Sequence, residues 1–223
     1  MKTQHYVIIT AGGTGVRMGE DIPKQFLCLQ GLPVIMHTIN RFKSFADTII
    51  VTLPEHYFDY WEKLQQKYDF NVPHILVSGG ETRFHSVKNA VEHIQNEGFV
   101  AIHDAVRPFV SSNLIKSCFE QAKIYGSAVA AIPVKDSLRT VSNSVSKRID
   151  RSTVFAVQTP QVFPCEVIKK SYNQAFNPEF TDDASVVETG GYDIHLVEGE
   201  ELNFKITTQI DLMMAERVGE NKK

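Results

Sequence analysis

The sequence predicts an α/β fold, in which a mostly parallel β-sheet carries helices on both of its faces. Strand-length runs such as 48–53 and 128–133 are apolar throughout rather than alternating, as expected of strands that are buried on both sides. Segments with apolar residues at helical spacing, such as 34–45, lie between these runs. The 223 residues fit a single domain, 1–223, whose ligands should bind at the carboxyl ends of the strands.

Strands and helices are expected to alternate along the chain. The expected strands are 6–11, 48–53, 74–77, 99–102, 128–133, 155–159 and 194–197. The expected helices are 34–45, 57–68, 86–94, one from about 112, 165–175, 184–189 and one from 208. Pro33 suits the start of the first helix, and Pro160 is expected to end the strand before it. Thr181 or Asp182 is expected to cap the short helix that follows them.

The segment at about 134–154 breaks the alternation, because it is polar and has too few apolar residues for a core strand. We interpret it as a protruding two-stranded arm that turns at Asn143-Ser144; a disordered loop is the alternative. An isolated hairpin is only marginally stable in water, so an arm would gain stability by packing on a second copy of the chain. The sequence therefore predicts a homodimer formed through this arm.

The composition is that of an ordinary soluble domain, with 43% hydrophobic residues and a net charge of −3. Nothing indicates a general nucleic-acid binder, and the first apolar run is too short for a signal peptide or a membrane span. Cys28, Cys118 and Cys165 show neither metal-ligand spacing nor a disulfide framework. A cytoplasmic location is the simplest expectation.

The stretch 11–24 combines a glycine-rich turn with two cations, Arg17 and Lys24. Backbone N–H groups and cations at the end of a strand are suited to hold phosphates. The dinucleotide pattern G-x-G-x-x-G fails because its third position is Met18, which disfavours an NAD-dependent oxidoreductase, and the P-loop spacing fails as well. A plain turn with two solvated cations is the alternative.

Asp104 directly follows the predicted strand 99–102 and its neighbour His103. A carboxylate exposed at this edge of the sheet can hold Mg²⁺ through oxygen. A structural salt bridge between Asp104 and Arg107 is the alternative, and His103 is expected to be packed rather than to act as a ligand.

A third group of candidates follows the third strand. The paired glycines 79–80 would let a flat base approach the backbone, and Arg83 or Ser86 could reach a phosphate or a ribose. A turn that merely starts a helix is equally compatible with the pattern. Taken with Asp104 and the glycine-rich stretch, these residues predict phosphoryl or nucleotidyl transfer, in which cations neutralise a triphosphate.

Seven motifs in a fixed order resemble the 2-C-methyl-D-erythritol 4-phosphate cytidylyltransferase family of the non-mevalonate isoprenoid pathway. They are AGGTGVRMG at 11–19, PKQF at 23–26, GGETR at 79–83, HDAVRPF at 103–109, TPQVF at 159–163, TDDAS at 181–185 and NFKIT at 203–207. The resemblance implies a Rossmann-like sheet with a dimerisation arm. It also implies Mg²⁺-dependent transfer of CMP from CTP to the polyol phosphate, with release of pyrophosphate.

The resemblance also assigns roles to residues. Arg17 and Lys24 would stabilise the pentacovalent α-phosphate, Asp104 would bind Mg²⁺, and Lys205 with a partner subunit's Arg151 would position the acceptor. The expected substrate-binding residues are Ala11, Gly12, Gly13, Thr14, Gly15, Gly80, Glu81, Arg83, Ser86, Ala105, Arg107, Ser137 and Thr181. The first five would wrap the triphosphate, Gly80 with Glu81 and Ser86 would read cytosine and ribose, and the last two would line the sugar pocket.

The chain departs from the family pattern at three positions. Glu81 is Asp in many relatives, Ser137 is Thr, and Leu202 stands where some relatives have an acid, with Glu201 adjacent. Ribitol-5-phosphate cytidylyltransferase shares several of the motifs and is the second interpretation, although TDDAS at 181–185 favours the methylerythritol enzyme. A non-catalytic CTP-binding regulatory protein is a third.

Overall fold

A computed structural model describes residues 3–12, 22–95 and 97–220. Its central sheet has seven strands in the order β11-β7-β10-β6-β1-β4-β5. These strands are β1 (His5–Thr10), β4 (Thr48–Leu53), β5 (Ile75–Ser78), β6 (Phe99–Asp104), β7 (Ala128–Pro133), β10 (Phe155–Pro164) and β11 (Leu196–Glu198). All neighbouring pairs are parallel except those of β10, which runs antiparallel to both β6 and β7. The predicted mostly parallel α/β sheet is confirmed.

Helices cover both faces of this sheet. They are α1 (Val34–Phe42), α2 (Phe58–Lys67), α3 (Arg83–Val91), α4 (Ser112–Tyr125), α5 (Cys165–Tyr172), α6 (Asp183–Thr189) and α7 (Gln209–Glu220). In β1, Val7 and Ile9 pack with α1, α2 and α4 on one face, whereas Tyr6 and Ile8 pack with α3, α5 and α6 on the other. This two-sided burial explains why the strand shows no polar alternation in the sequence.

Several predicted strand ends are wrong: the bounds of β1, β5 and β11 are displaced by one or two residues, and β6 and β10 extend beyond their predicted ends. β6 extends to Asp104, because Thr10 and Asp104 are still paired in register, so Asp104 is the last residue of the strand rather than the first residue after it. β10 continues through Pro160 to Pro164. The strand tolerates Pro160, which has no N–H to donate, because the ladder with β7 shifts register between Val157 and Gln161.

A short hairpin in the first third of the chain has no counterpart in the predicted elements. It pairs β2 (Cys28–Leu29) with β3 (Leu32–Pro33). Gln30 and Gly31 form its turn with φ of 48° and 85°, the left-handed conformation of a two-residue hairpin turn. Glutamine is rare at such a position, so residues 28–33 carry no clear turn signal.

The arm is a regular hairpin in this structure. β8 (Arg139–Ser142) pairs antiparallel with β9 (Val145–Arg148), and Asn143 and Ser144 make the turn with φ of 48° and 63°. The predicted turn is therefore correct, and the alternative of a disordered loop is wrong. Every residue from 139 to 148 is exposed. Dimerisation through the arm stays a prediction.

Candidate active site

A cleft of about 250 Å³ opens at the carboxyl ends of β1 and β6. We call it the first cleft. Its lining is Thr10, Ala11, Gly12, Lys24, Gln25, Gly80, Glu81, Thr82, Arg83, Ser86, Asp104, Ala105, Val106 and Lys205. Ten of these residues are candidates from the sequence, drawn from five separate segments of the chain. The parallel topology thus brings them to one edge of the sheet.

A second cleft of about 490 Å³ lies beside the first. Its walls include Gln158 and Thr159 of β10, Arg107, and Thr181 before α6. Arg83, Asp104 and Lys205 line both clefts. The two cavities therefore meet at a shared wall of charged side chains.

Asp104 is the centre of that wall. Its carboxylate lies 2.9 Å from Lys205 Nζ, 3.4 Å from Arg83 Nε and 3.5 Å from Arg107 Nε. Burial opposes the ionised form, but Arg83, Lys205 and Arg107 outweigh it and hold the pKa of Asp104 well below its usual range. The salt bridge with Arg107 that the sequence left open is present, together with two others.

Lys205 owes its position to a buried network around Asn203. The Asn203 side-chain amide donates from Nδ2 to Thr159 O at 2.8 Å and to Gln158 Oε1 at 3.1 Å, and the Asn203 backbone carbonyl accepts from Arg107 Nη1 at 2.7 Å. This network fixes the segment that carries Lys205 against β10. The sequence did not indicate Asn203 and Gln158 as supporting residues, although both lie in or next to the family motifs.

Gly80 and Ser86 lie together at one end of the first cleft. Ser86 Oγ accepts from Gly80 N and donates to Thr82 O, both at 3.0 Å. A Cβ at Gly80 would lie 2.3 Å from His85 Cβ, and one at Gly12 would lie 3.2 Å from Ser86 Oγ. Gly80 is therefore needed for close packing rather than for a positive φ, and Ser86 is held by the backbone instead of by solvent.

Lys24 begins a short 3₁₀ turn, Lys24–Phe26, just after Pro23. Its neighbour Gln25 is buried and donates from Nε2 to Ala11 O at 2.7 Å, which ties this turn to the end of β1. Phe26 packs edge-on against Tyr60 with ring centroids 5.1 Å apart. These contacts explain how Lys24 comes to line the first cleft.

His103 is packed, as expected from the sequence. It is fully buried, its ring lies 4.8 Å from that of Phe42, and burial lowers its pKa to about 3. The imidazole is therefore neutral at physiological pH. Arg107 is also largely buried and makes structural contacts, although it lines the second cleft.

Two candidates lie apart from the clefts within the single chain. Ser137 and Arg151 are exposed at the base of the arm, and neither lines the first or the second cleft. Arg151 Nη1 instead donates to Lys135 O. Four further candidates fall outside the residues that the structure describes: Gly13, Thr14, Gly15 and Arg17.

In the described part of the chain, the donors available for Mg²⁺ are few. Among the described residues, no group of three His, Cys, Asp or Glu side chains is placed to hold a metal ion. Mg²⁺ usually keeps several waters and binds through one or two carboxylates together with substrate phosphates. The buried carboxylate of Asp104, which lines both clefts, fits that pattern, whereas a cage built only from protein ligands would not.

Comparisons with known proteins identify the family of the chain. The family model described as 2-C-methyl-D-erythritol 4-phosphate cytidylyltransferase matches residues 5–220. Proteins of that name are 47% identical in Bacteroides thetaiotaomicron, over 92% of this chain and 95% of that protein, and 45% identical in Porphyromonas gingivalis, over 96% and 97%.

Solved structures agree as well. The Thermus thermophilus protein of the same name superimposes with a TM-score of 0.79 at 30% identity, over 99% of this chain and 100% of that one. An Anaerococcus prevotii 4-diphosphocytidyl-2C-methyl-D-erythritol synthase gives 0.83 at 25% identity, over 98% and 99%. The chain therefore belongs to the 2-C-methyl-D-erythritol 4-phosphate cytidylyltransferase family.

Proposed function

We propose that this protein transfers CMP from CTP to 2-C-methyl-D-erythritol 4-phosphate, giving 4-diphosphocytidyl-2-C-methyl-D-erythritol and pyrophosphate. The observation that carries the proposal is the pair of clefts with a shared charged wall, in a chain whose family membership spans residues 5–220. One cleft would take CTP and the other the polyol phosphate, so the two substrates would meet at Arg83, Asp104 and Lys205.

The reaction needs no activated side-chain nucleophile. A phosphate oxygen of the acceptor attacks the α-phosphorus of CTP, a new P–O bond forms, and the bond from the α-phosphorus to the bridging oxygen breaks to release pyrophosphate. Because the attacking group is already an anion, the chain has mainly to orient it and to stabilise negative charge.

Three cationic side chains would divide that task. Lys24 in the first cleft and Arg17, placed there by the resemblance alone, would stabilise the charge that develops on the α-phosphate. Lys205, in the shared wall, would hold the acceptor phosphate. Asp104 would hold Mg²⁺ together with triphosphate oxygens, where the ion would neutralise charge on the phosphates.

The arm would complete the site from a second subunit. Val141 and Val145 in the arm are 71% and 60% exposed, and Phe155 and Val157 at its base are also exposed. Apolar side chains on a hairpin without a covering element support burial by a second copy of the chain. We propose a homodimer in which Arg151 and Ser137 approach the acceptor site of the partner.

A cytoplasmic location is proposed on the state of the cysteines. All three thiols are free; Cys118 and Cys165 are buried, and burial raises the pKa of each to about 12. Free thiols are typical of reducing compartments. Among the helices that the structure describes, none is long and apolar enough to cross a membrane.

The decisive experiment compares two acceptors. Pyrophosphate release from CTP and Mg²⁺ is measured with 2-C-methyl-D-erythritol 4-phosphate and, in parallel, with ribitol 5-phosphate. We expect turnover with the first and much slower turnover with the second. Equal or faster release with ribitol 5-phosphate would indicate a ribitol-5-phosphate cytidylyltransferase instead. Tight CTP binding without turnover of either acceptor would favour a regulatory protein.

A further inference from the structure

The guanidinium of Arg83 lies between two carboxylates. Its Nη1 is 2.9 Å from Asp183 Oδ1 and its Nη2 is 2.6 Å from Asp183 Oδ2, while its Nε is 3.4 Å from Asp104 Oδ1. A bidentate pair of this kind fixes the plane of the guanidinium as well as its position. Arg83 lines both clefts, whereas Asp183 lines neither of them.

The Asp183 carboxylate is itself held in place by Tyr172. It is fully buried and accepts a third hydrogen bond from Tyr172 Oη, at 2.6 Å from Oδ1. Tyr172 is 1% exposed, and its ring stacks on Phe84 with centroids 4.9 Å apart. Burial raises the pKa of Tyr172, so its hydroxyl remains a donor at neutral pH.

These contacts form one continuous path from the helical layer to the shared wall. Tyr172 comes from α5, Asp183 from α6, Arg83 from the first turn of α3, and Asp104 from the end of β6. The Arg83 side chain is still 29% exposed on its cleft side. Without the Asp183 carboxylate, the guanidinium would be free to turn toward Asp104 or toward any phosphate entering either cleft.

We propose that Asp183, supported by Tyr172, is a positioning residue that acts through Arg83. It holds the guanidinium in one orientation at the wall where the two clefts meet, and it touches neither substrate. The inference rests on the proposed function, because the positioned group serves the two substrates of that reaction. Its role is distinct from that of a structural ion pair, whose removal would change folding stability alone.

The test is a double-mutant cycle on kcat/KM, measured below the unfolding temperature of every variant. Asp183→Asn keeps the side-chain volume and removes the charge. We expect kcat/KM to fall by about 10–100-fold, the range seen when residues that orient metal ligands are replaced. In an Arg83→Gln background, the same change should lower kcat/KM by no more than about twofold further, because residues that act through one another are not additive. Wild-type kcat/KM in Asp183→Asn, or fully additive effects, would overturn the proposal.

A milder variant guards against loss of the fold. Tyr172→Phe keeps the stacked ring and removes only the hydroxyl, so it should lower kcat/KM in the same direction but less. It too should have little further effect when Arg83 is Gln. Tyr125→Phe, at an exposed tyrosine stacked on His195, is the matched control and should keep wild-type kcat/KM. If Asp183→Asn does not fold, wild-type kcat/KM in folded Tyr172→Phe would overturn the proposal.

Calorimetric titration with CTP separates this inference from the proposed function. If the wild type transfers no cytidylyl group to either polyol phosphate, the proposed function fails. The positioning role is still tested, because Arg83 lines the first cleft. The Kd for CTP should change between wild type and Asp183→Asn but not between Arg83→Gln and the double variant. A Kd unaffected by Asp183→Asn in that case would overturn the proposal.

Discussion

The wall around Asp104 and the arm around Asn143 show opposite ways of using polar residues. At Asp104, three cations from separate segments approach one carboxylate whose side chain is 9% exposed. In the arm, every residue from 139 to 148 is exposed, and the two strands pair only with each other among the described residues. Contacts within the chain fix the geometry of the wall, whereas both surfaces of the arm are exposed in the single chain.

The largest expected effect comes from breaking the wall at its centre. Asp104→Asn would leave Lys205, Arg83 and the largely buried Arg107 without their shared anion. Removing one partner of a buried ion pair typically costs about 3–5 kcal/mol, so both stability and turnover should fall. Urea unfolding followed by circular dichroism, alongside the pyrophosphate assay, measures both losses. Unchanged stability would mean that the three cations do not depend on Asp104.

Lys24→Ala should separate turnover from stability. Lys24 lines the first cleft, and loss of one charge-stabilising donor usually lowers kcat by about 10²–10³-fold. A partly exposed lysine contributes about 1 kcal/mol or less to folding, so the unfolding midpoint should barely move. Lys116→Ala, at a lysine of α4 that is 68% exposed, is the matched control and should change neither quantity. Turnover near that of the wild type would remove Lys24 from the proposed mechanism.

Changes in the arm should affect assembly rather than folding. Replacing Val141 and Val145 together by Asp places charge on both faces of the hairpin. Sedimentation velocity should then show monomers under conditions in which we expect the wild type to be a dimer. Ile124→Asp, at an α4 residue that is 67% exposed, makes the same kind of change elsewhere and should leave the dimer intact. A wild type that is monomeric at micromolar concentration would contradict the dimer itself.

The smallest effect is expected at the base of the arm, where Asp150 contrasts with Asp104. The Ser152 hydroxyl and backbone N–H donate to Asp150 at 2.8 and 3.1 Å and lower the pKa of this carboxyl. A carboxyl group whose pKa is lower in the folded protein stabilises the fold at pH values above its unfolded-state pKa. This stabilisation is lost as the pH falls through the folded-state pKa. Because Asp150 is fully exposed, Ser152→Ala should raise its pKa in an NMR titration without a measurable change in stability. An unshifted pKa would show that the hydrogen bond from the Ser152 hydroxyl does not form.

Much of the fold follows from local chemistry. The continuous apolar strands, the helix start after Pro33 and the turn at Asn143-Ser144 all reflect rules that act within a few residues. The prediction that β10 ends at Pro160 is wrong. A residue without an N–H normally ends a strand, but here the register shift in the ladder with β7 removes the need for that hydrogen bond. Such a compensation involves a residue pairing across the sheet, which no local pattern records.

The site residues also divide into those that the local sequence indicates and those that depend on how distant elements pack. Lys24, Gly80, Asp104 and Lys205 stand out in the sequence because their types and motifs suit phosphate chemistry, and the structure brings them to one cleft. Asp183 could be identified only as part of a helix start. Its burial beneath Arg83 depends on how α3, α5 and α6 pack, so its contact partners lie 11 and 100 residues away.

The antiparallel strand β10 determines where segments of this protein can be exchanged with those of its relatives. This strand begins at Phe155, just after the arm, and ends at Pro164, where it is paired with β6 and directly precedes α5. Within it, the hydroxyl of Thr159 accepts from the Asp104 N–H at 3.1 Å. β10 thus follows the arm after only a short turn at Arg151–Thr153, and its Thr159 supports Asp104 of the wall. A chimera that exchanges arms between relatives should therefore cross over before Val134 and after Pro164, so that the arm moves together with the strand that supports Asp104.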